Sequence, residues 1–462
     1  MPTTPQEWLP VLTKMLDDDR SRCDRLKSYV DGNAPLPQMG KNTRAAWERF
    51  QCRARSNPAS LIVESVADRV VPIGVEVAGS TESEQALHAQ RIWRDNRLDV
   101  ALPRAVRLGL IYGRGFFVAW DRQVDGQARA AITAESPRAV AVETDPLRPW
   151  VVQAALRTWS DAREKAVLCN LWTPGQVARF RADPQSRETS AVADRRWRLV
   201  AEEQVAGDVP VYPWQNPSPD GEGYGTGEFE AHTDLIDRYY ELTLERLVTT
   251  AMQAFVQRAL RRPAASGGYG ADAMGEDLDD SSADWTAIFE PSPGALWDLP
   301  DGVDIWESRT TDVRPLLEAA KADLRDLAAF TRTPLPTLVP DNQSATGAEE
   351  AAAGLTFKAR ERIKIVNAAL SAALLKALRI EGDEPDGTLR VLFEDPARVT
   401  LAQKYSAAAQ ARAAGESWKS VQRNILGRTP DQIRQDEQDR AEEQLSAALG
   451  APETTSGGVP AA

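Results

Sequence analysis

Apolar residues recur at two different periods along this chain, and the places where the period changes mark its parts. Residues 5–30 carry a helical pattern that ends in 29-YVDG-32, ahead of a proline-rich turn. The run 57-NPASLIVESVADRVV-71 reads as a second helix, GVEV at 74–77 as a strand, and a charged helix passes through His88 and Trp93. In 101-ALPRAVRLGLIYGRGFFVAWD-121 the helical pattern stops at Gly113 and Gly115 and becomes a strand. From 131 to 214 apolar and polar residues alternate between Pro, Gly and Asp breaks, in AITAESPRAVAVETD, WVVQAALRTW, KAVLCNLW and RWRLVAEE. This predicts an α/β or α+β body.

After 221-GEGYGTG-227 the period returns to that of a helix. No Gly or Pro occurs from Glu228 to Arg262, and Ile236, Tyr240, Leu244, Leu247, Ala251 and Phe255 share one stripe. At 1.5 Å per residue the span predicts a rod of about 50 Å. Residues 263–311 are rich in Gly, Ser, Pro and Asp, with Trp285, Phe289, Trp297 and Trp306 in strand-like snippets, so a small β element is expected there. A helix at 313–330 follows, with Pro315 in its first turn. The prolines of 332-RTPLPTLVPDNQSA-345 predict irregular structure. Thr346 and Glu349 then have capping-box spacing and open a long helix to Ile380, whose polar positions Lys358, Arg360, Arg362 and Lys364 are basic. A strand in 389-LRVLFED-395, short helices through Trp418 and a small, polar, disordered tail after Gly450 complete the reading.

Composition changes this picture in two respects. The 462 residues exceed one simple core, so several parts are expected. The net charge of −13 argues against wrapping nucleic acid by broad phosphate neutralisation. It is compatible with letting DNA slide past. Most of the excess is local: between Asp272 and Asp312 twelve acids face one base, Arg309, a net of −11. Cys23, Cys52 and Cys169 have no metal-knuckle or disulfide spacing, and two histidines, His88 and His232, leave little for a histidine base or a metal centre. The N-terminal stretch lacks the basic-then-apolar order of a signal peptide, and no apolar run is long enough to span a membrane. A cytoplasmic start is expected.

The alternate glycines 221, 223, 225 and 227 raise the question of a phosphate cradle at a helix N-terminus. A Walker loop needs GxxxxGK[ST], yet no lysine occurs from 221 to 262. A dinucleotide fingerprint needs a strand before the glycines, and PWQNPSPD reads as a loop. A flexible entry into the rod fits better. Asp17, Asp18 and Asp19 read as a solvated helix face, and Asp277-x-Asp279 lacks EF-hand order. No GxSxG or HExxH occurs. No cofactor, no metal and no catalytic set is expected.

The order of parts, with the stretches 29-YVDG-32, 57-NPASLIVESVADRVVPIGVEV-77, 105-AVRLGLIYGRGFFVAW-120, 135-ESPRAVAVETDP-146, 211-VYPWQNPSPDGEGYGTGEFEAHTDLIDRYYELTLERL-247 and 333-TPLPTLVPDNQSATGAEEAAAGL-355, resembles the portal proteins of tailed bacteriophages, siphophage type. The resemblance covers about residues 8–445. It implies an α+β portal architecture: an α/β wing (1–226), a stem helix (227–262), a small β-containing clip (263–311), a second stem helix (312–331), a tunnel loop (332–346), a long wing helix (347–381), a wing return with a helical crown (382–449) and a disordered tail (450–462).

It further implies a non-enzymatic homo-oligomeric ring, on the order of twelve subunits, at one capsid vertex of the virion. Double-stranded DNA would pass through the ring during packaging and ejection. Terminase would dock at the clip, head-completion or adaptor proteins would replace it, and major capsid and scaffold proteins would be further partners. Assembly would occur in the host cytoplasm, with no membrane involved. On this resemblance Leu335, Leu338, Val339 and Asp341 would form the channel constriction. Glu276, Asp277, Asp279, Asp280 and Asp284 would face terminase or the channel mouth, and Ile236, Tyr240, Leu247 and Phe255 would form the oligomer interface. Lys358, Arg360, Arg362 and Lys364 would touch DNA or, preferably, a neighbour's acids. Another capsid or head–tail adaptor protein, or a nuclease built from scattered carboxylates, stays open as an alternative.

Overall fold

Thr4 starts the first helix, α1 (Pro5–Asp18), with a reciprocal cap: its hydroxyl accepts from the Glu7 amide, and the Glu7 side chain reaches back to the cap. Trp8, Leu12 and Leu16 form the buried stripe of α1, four residues apart. The helical pattern expected over 5–30 is interrupted at Asp19, and α2 (Arg20–Val30) continues beyond it. The break follows from Asp19 itself, whose carboxylate is buried against Arg114 at 2.8 Å. The computed structural model describes residues 2–36, 45–183, 191–205, 207–218, 223–254, 258–261, 304–307, 311–339, 345–385, 387–397 and 399–450.

Three further helices, α3 (Ala45–Ala54), α4 (Pro58–Ala67) and α5 (Glu84–Asp95), flank β1 (Pro72–Val77) and lead into α6 (Leu98–Tyr112). Gly113 ends α6 at φ 80°, the left-handed position that favours glycine. Strands β2 (Arg114–Val124), β3 (Gln127–Glu135), β4 (Val140–Asp145), β5 (Arg148–Asp161), β6 (Ala166–Thr173), β7 (Gln176–Ala182), β8 (Arg198–Gln204) and β9 (Val211–Gln215) follow. They form two antiparallel sheets, one ordered β3-β2-β9 and one a five-stranded meander β4-β5-β6-β7-β8. Phe116, Val118, Val140, Ala155, Trp172 and Val211 fill the space between the sheets. The other face of the meander is covered by α1 through Trp8, Leu12 and Leu16 against Leu156, Leu171 and Phe180.

A single 3-10 turn, Glu230–His232, leads into α7 (Thr233–Ala254). At 22 residues this helix is about 33 Å long, shorter than the rod expected from the sequence. Residues Arg258–Arg261 are instead β10, committed to an antiparallel ladder with β11 (Asp304–Glu307). α8 (Arg314–Phe330), with proline in its first turn, returns along α7. The segment expected to be irregular contains one helical turn, α9 (Leu335–Leu338), in which Pro336 occupies a first-turn position where its missing amide is not needed. The long helix α10 (Ala345–Ile380) starts before Thr346, so Thr346 lies inside it and not at its cap. Strand β12 (Leu389–Phe393) pairs antiparallel with β1, Val75 opposite Val391, and joins two sequence-distant parts of the chain. Helices α11 (Leu401–Ala413), α12 (Trp418–Asn424) and α13 (Pro430–Gly450) complete the described residues. The largest core gathers α2, α4, α5, α6, α7 and α10 around residues such as Tyr29, Leu110, Ile236, Tyr240, Val366 and Leu370.

Candidate functional site

The place where the sheet-bearing part of the chain leads into α7 is built from glycines that admit other atoms. Trp214 is buried, and a β-carbon on Gly109 would lie 1.9 Å from its ring. A β-carbon on Gly115 would lie 2.8 Å from the Trp214 indole nitrogen. The glycine-rich segment then runs directly over the C-terminal end of α6. A β-carbon on Gly225 would meet the Gly113 carbonyl oxygen at 2.3 Å, and one on Gly227 would meet the Ile111 carbonyl oxygen at 2.3 Å. These glycines therefore close a backbone-to-backbone contact. They are not the flexible hinge that the sequence suggested.

The contact answers a need of α6, whose last carbonyls lack helical partners. The Asn216 amide donates to the Gly113 carbonyl at 2.7 Å and the Glu228 amide to the Leu110 carbonyl at 2.8 Å. The Asn216 side chain donates to the Gly109 carbonyl at 3.3 Å and to that of Thr226 at 3.0 Å. Arg22 on α2 completes the closure by donating to the Tyr112 carbonyl at 3.0 Å and the Gly225 carbonyl at 3.1 Å.

Three sets of charges fasten this junction. Arg22 also grips Glu230 through Nε and Nη2, each at 2.6 Å, and reaches Asp19 at 3.3 Å. Burial opposes the Arg22 charge, but Glu230 and Asp19 more than compensate and raise its pKa. Asp19 takes a second cation, Arg114, whose guanidinium lies 3.3 Å from the centre of the Tyr224 ring. Asp17 accepts from the Val192 and Ala193 amides at 2.8 and 2.6 Å. Asp17 and Asp19 are thus structural acceptors, and the solvated-face reading holds only for Asp18, which pairs with Lys14.

The second set centres on Glu228, buried between Lys358 at 2.9 Å and Arg362 at 2.7 Å, both on α10. Burial raises the Glu228 carboxyl, but the two cations and their hydrogen bonds outweigh it and leave the group below its usual range. Burial lowers the Lys358 ammonium, against the pull of Glu228.

In the third set, Tyr29 on α2 donates to Asp237 on α7 at 2.7 Å. Arg238 forks onto Asp323 of α8, with Nη2 at 2.6 Å and Nε at 3.1 Å. The root of α7 is therefore tied to α2, α8 and α10 within four helical turns.

The residues singled out in the sequence divide accordingly. Lys358 and Arg362 pair with Glu228 inside the same chain, which replaces the expected contact with a neighbour's acids for these two. Arg360 faces outward and pairs with Asp395 at 3.0 Å, and Lys364 is exposed. Ile236 and Tyr240 are fully buried in the core of their own chain, so they are not available to a neighbour; the helix that carries them packs mainly against α8 and α3. Leu247 is half-buried, and Phe255 lies outside the described residues. In the 332–346 segment Val339 is buried and Leu338 packs against the main core, whereas Leu335 is half-exposed. Asp341 lies outside the described residues, as do Glu276, Asp277, Asp279, Asp280 and Asp284.

Sequence reasoning missed Arg22, Arg114, Glu228 and Glu230. The available signal was the spacing of Lys358 and Arg362, which fall on the same helical stripe as Leu355, Ala359 and Val366. Among the described residues no cluster of three or more potential metal ligands occurs, and no helix is long and apolar enough to cross a membrane.

The chain matches the profile of the family described as "Phage portal protein, SPP1 Gp6-like" over residues 11–449. No curated protein matches it. Among solved structures it is similar to a chain in the virion of a native gene transfer agent (GTA) particle, with 14% identity and a TM-score of 0.47 over 88% of this chain and 99% of that one. It is also similar to a chain in the neck of a native GTA particle computed with C12 symmetry, with 16% identity and a TM-score of 0.46 over 88% and 99%. For a chain in the neck of an empty GTA particle computed with C6 symmetry the values are 16% and 0.48, over 88% and 100%.

Proposed function

The chain belongs to the SPP1 Gp6-like phage portal family, and from that premise we propose that it is one subunit of a ring at a single capsid vertex through which double-stranded DNA enters and leaves the particle. The observation that carries the reading is the family match across residues 11–449, which leaves few residues outside a portal subunit. The ring holds on the order of twelve copies joined head to tail, the interface that closes when the rotation fits. In this reading residues 1–226 and 347–381 are the wing, 227–262 and 312–331 the stem, and 263–311 the clip. Residues 332–346 are the tunnel loop and 382–449 the wing return and crown. The protein is a conduit and not a catalyst, and the chemistry of packaging belongs to a terminase docked at the clip.

Charge supports the conduit. A channel must not hold its polymer, and a lining in which acids outnumber bases repels phosphates and lowers sliding friction. The segment 272–312, with its net of −11, fits the channel mouth or the terminase side. The root of α7 supports it mechanically. A stem that guides DNA under load has to keep its angle to the wing, and the ties from Arg22, Glu228, Asp237 and Arg238 hold it.

Imaging of the purified protein in negative stain, with its mass measured by light scattering, tests the reading. Rings with a central hole are expected. Monodisperse single chains would end it.

A further inference from the structure

Helices α11, α12 and α13 stand apart from the hydrophobic interior. Their buried apolar side chains are Ala408, Val421 and Ile433, and none of these belongs to the three hydrophobic cores, whose last member along the chain is Phe393. Among the described residues no backbone hydrogen bond joins 400–450 to the rest. The ties that cross the seam are ion pairs open to water. Lys404 pairs with Glu394, Lys419 with Glu82 at 3.0 Å, and Arg423 approaches Glu76 at 3.9 Å. The Lys419 and Glu82 side chains are 51% and 50% exposed. Such pairs hold weakly, and salt screens them.

The seam is also poorly filled. A cleft of about 240 Å³ lies between α5, β1 and the start of α13, with Ile73, Trp93 and Arg94 on one side and Pro430 and Asp431 on the other. A second, of about 350 Å³, opens beside Glu394 and Lys404. Atoms that line a gap lose the dispersion contacts that hold packed elements together. Between these clefts sits a tooth in a notch. Pro430 is buried, and a β-carbon on Gly74 would lie 2.7 Å from its Cγ and Cδ. The ladder of β1 with β12 is irregular at the same spot, between Pro72 and Gly74.

Inside the C-terminal part the ties are denser. Lys419 also reaches Glu437 at 3.0 Å, Arg428 pairs with Asp436, and the Arg440 guanidinium lies 4.2 Å from the centre of the Trp418 ring. The turn from α11 to α12 is closed by the Glu416 amide on the Ala411 carbonyl at 3.0 Å and by Arg412 on the Glu416 carbonyl at 2.5 Å. We propose that α11–α13 undock from the β1–β12 ribbon and redock as one body, with Pro430 in the Gly74 notch as the latch and salt as the releasing agent. The opening breaches no core, so it comes well before unfolding of the chain. It belongs to the single chain and holds with or without a ring.

Hydrogen exchange of the intact chain, read segment by segment by mass spectrometry, tests this. α11, α12 and α13 are expected to exchange ahead of β1, β12 and α6. They should also speed up together between low and high salt, by a factor on the order of ten, while α6 does not change. Gly74 is outside the left-handed region, so Gly74→Ala strains the notch and not the backbone. It is expected to accelerate exchange in all three helices and to leave α6 and the meander β4–β8 as they were. Pro430→Ala, which blunts the tooth without a clash, should act in the same direction and less strongly. Acceleration confined to the residues around Pro430 would overturn the single body. Exchange in α11–α13 as slow as in β1 and β12, or indifferent to salt, would overturn the undocking.

Discussion

Arg22 and Glu230 lie 208 residues apart and meet in a two-pronged ion pair, Nε and Nη2 each 2.6 Å from a carboxylate oxygen. The same Nη2 donates to the Tyr112 and Gly225 carbonyls. One planar group thus bridges the second helix, the end of α6, the glycine segment and the turn that opens α7. An ammonium has no such fork.

Arg22→Lys should therefore keep the charge and lose the geometry. The expected cost is about 2 kcal/mol, the scale of hydrogen bonds to charged groups, read as a lower thermal midpoint of the purified chain. A midpoint equal to that of the parent would show that charge alone, and not the fork, makes the tie.

The glycines make a sharper test because two neighbours differ in their surroundings. A β-carbon on Gly225 would sit 2.3 Å from one backbone carbonyl oxygen and 2.4 Å from another, neither of which can swing away. Gly223 has open space around it and a φ of +70°. Gly225→Ala is expected to cost about 3 kcal/mol or more, and Gly223→Ala only the left-handed strain of about 1–2 kcal/mol. Equal losses in chemical unfolding would mean that the close approach at Gly225 is not rigid.

Glu228 links stability to pH. Its carboxyl, held below the ordinary 4.5 by Lys358 and Arg362, is charged in the folded chain at pH values where the unfolded chain is already protonated. A depressed carboxyl contributes stability that is complete above the unfolded value and is lost as pH falls through the folded one. Glu228→Gln removes the anion but leaves two buried cations, an arrangement expected to cost about 3–5 kcal/mol near neutrality. The variant should also lose the part of the acid-side decline in stability that belongs to this group. Denaturant unfolding at several pH values reads both, and a curve parallel to the parent's would remove Glu228 as its source.

What the sequence disclosed about these sites follows from how each is encoded. Helices and strands were legible wherever burial imposes a period, as in the meander β4–β8 and in α10, whose end at Ile380 was anticipated. The pairing of β1 with β12 was not, because strands more than three hundred residues apart share no local signal. The glycine segment shows the limit in another way. Alternate glycines say that side chains are excluded, but only the fold reveals that the excluded space holds the carbonyls of α6. Lys358 and Arg362 were counted as surface because they are charged, although their spacing put them on the buried stripe. Period was the better guide there, and it implied an acid such as Glu228 opposite them. The reverse error befell Ile236 and Tyr240, where an apolar stripe was assigned to a neighbouring copy that its own core does not require.

The loop proposed as the constriction yields a prediction that separates folding from passage. Val339 is buried and Leu338 packs on the core, so a charge at either disrupts the subunit and says nothing about a channel. Leu335 is half-exposed at the start of the α9 turn, where its side chain can be changed without opening the interior. In a ring, Leu335→Arg would place one cation per subunit around the bore. Cations bind phosphates with release of counterions, so the polymer would be held where it should slide, and the effect would weaken as salt rises. Particles assembled with Leu335→Arg should therefore package DNA more slowly than the parent at low salt and approach it at high salt, with rings and thermal midpoint unchanged. Leu335→Gln, which adds polarity without charge, should package normally. Packaging by Leu335→Arg at the parental rate at every salt concentration would take this turn out of the channel.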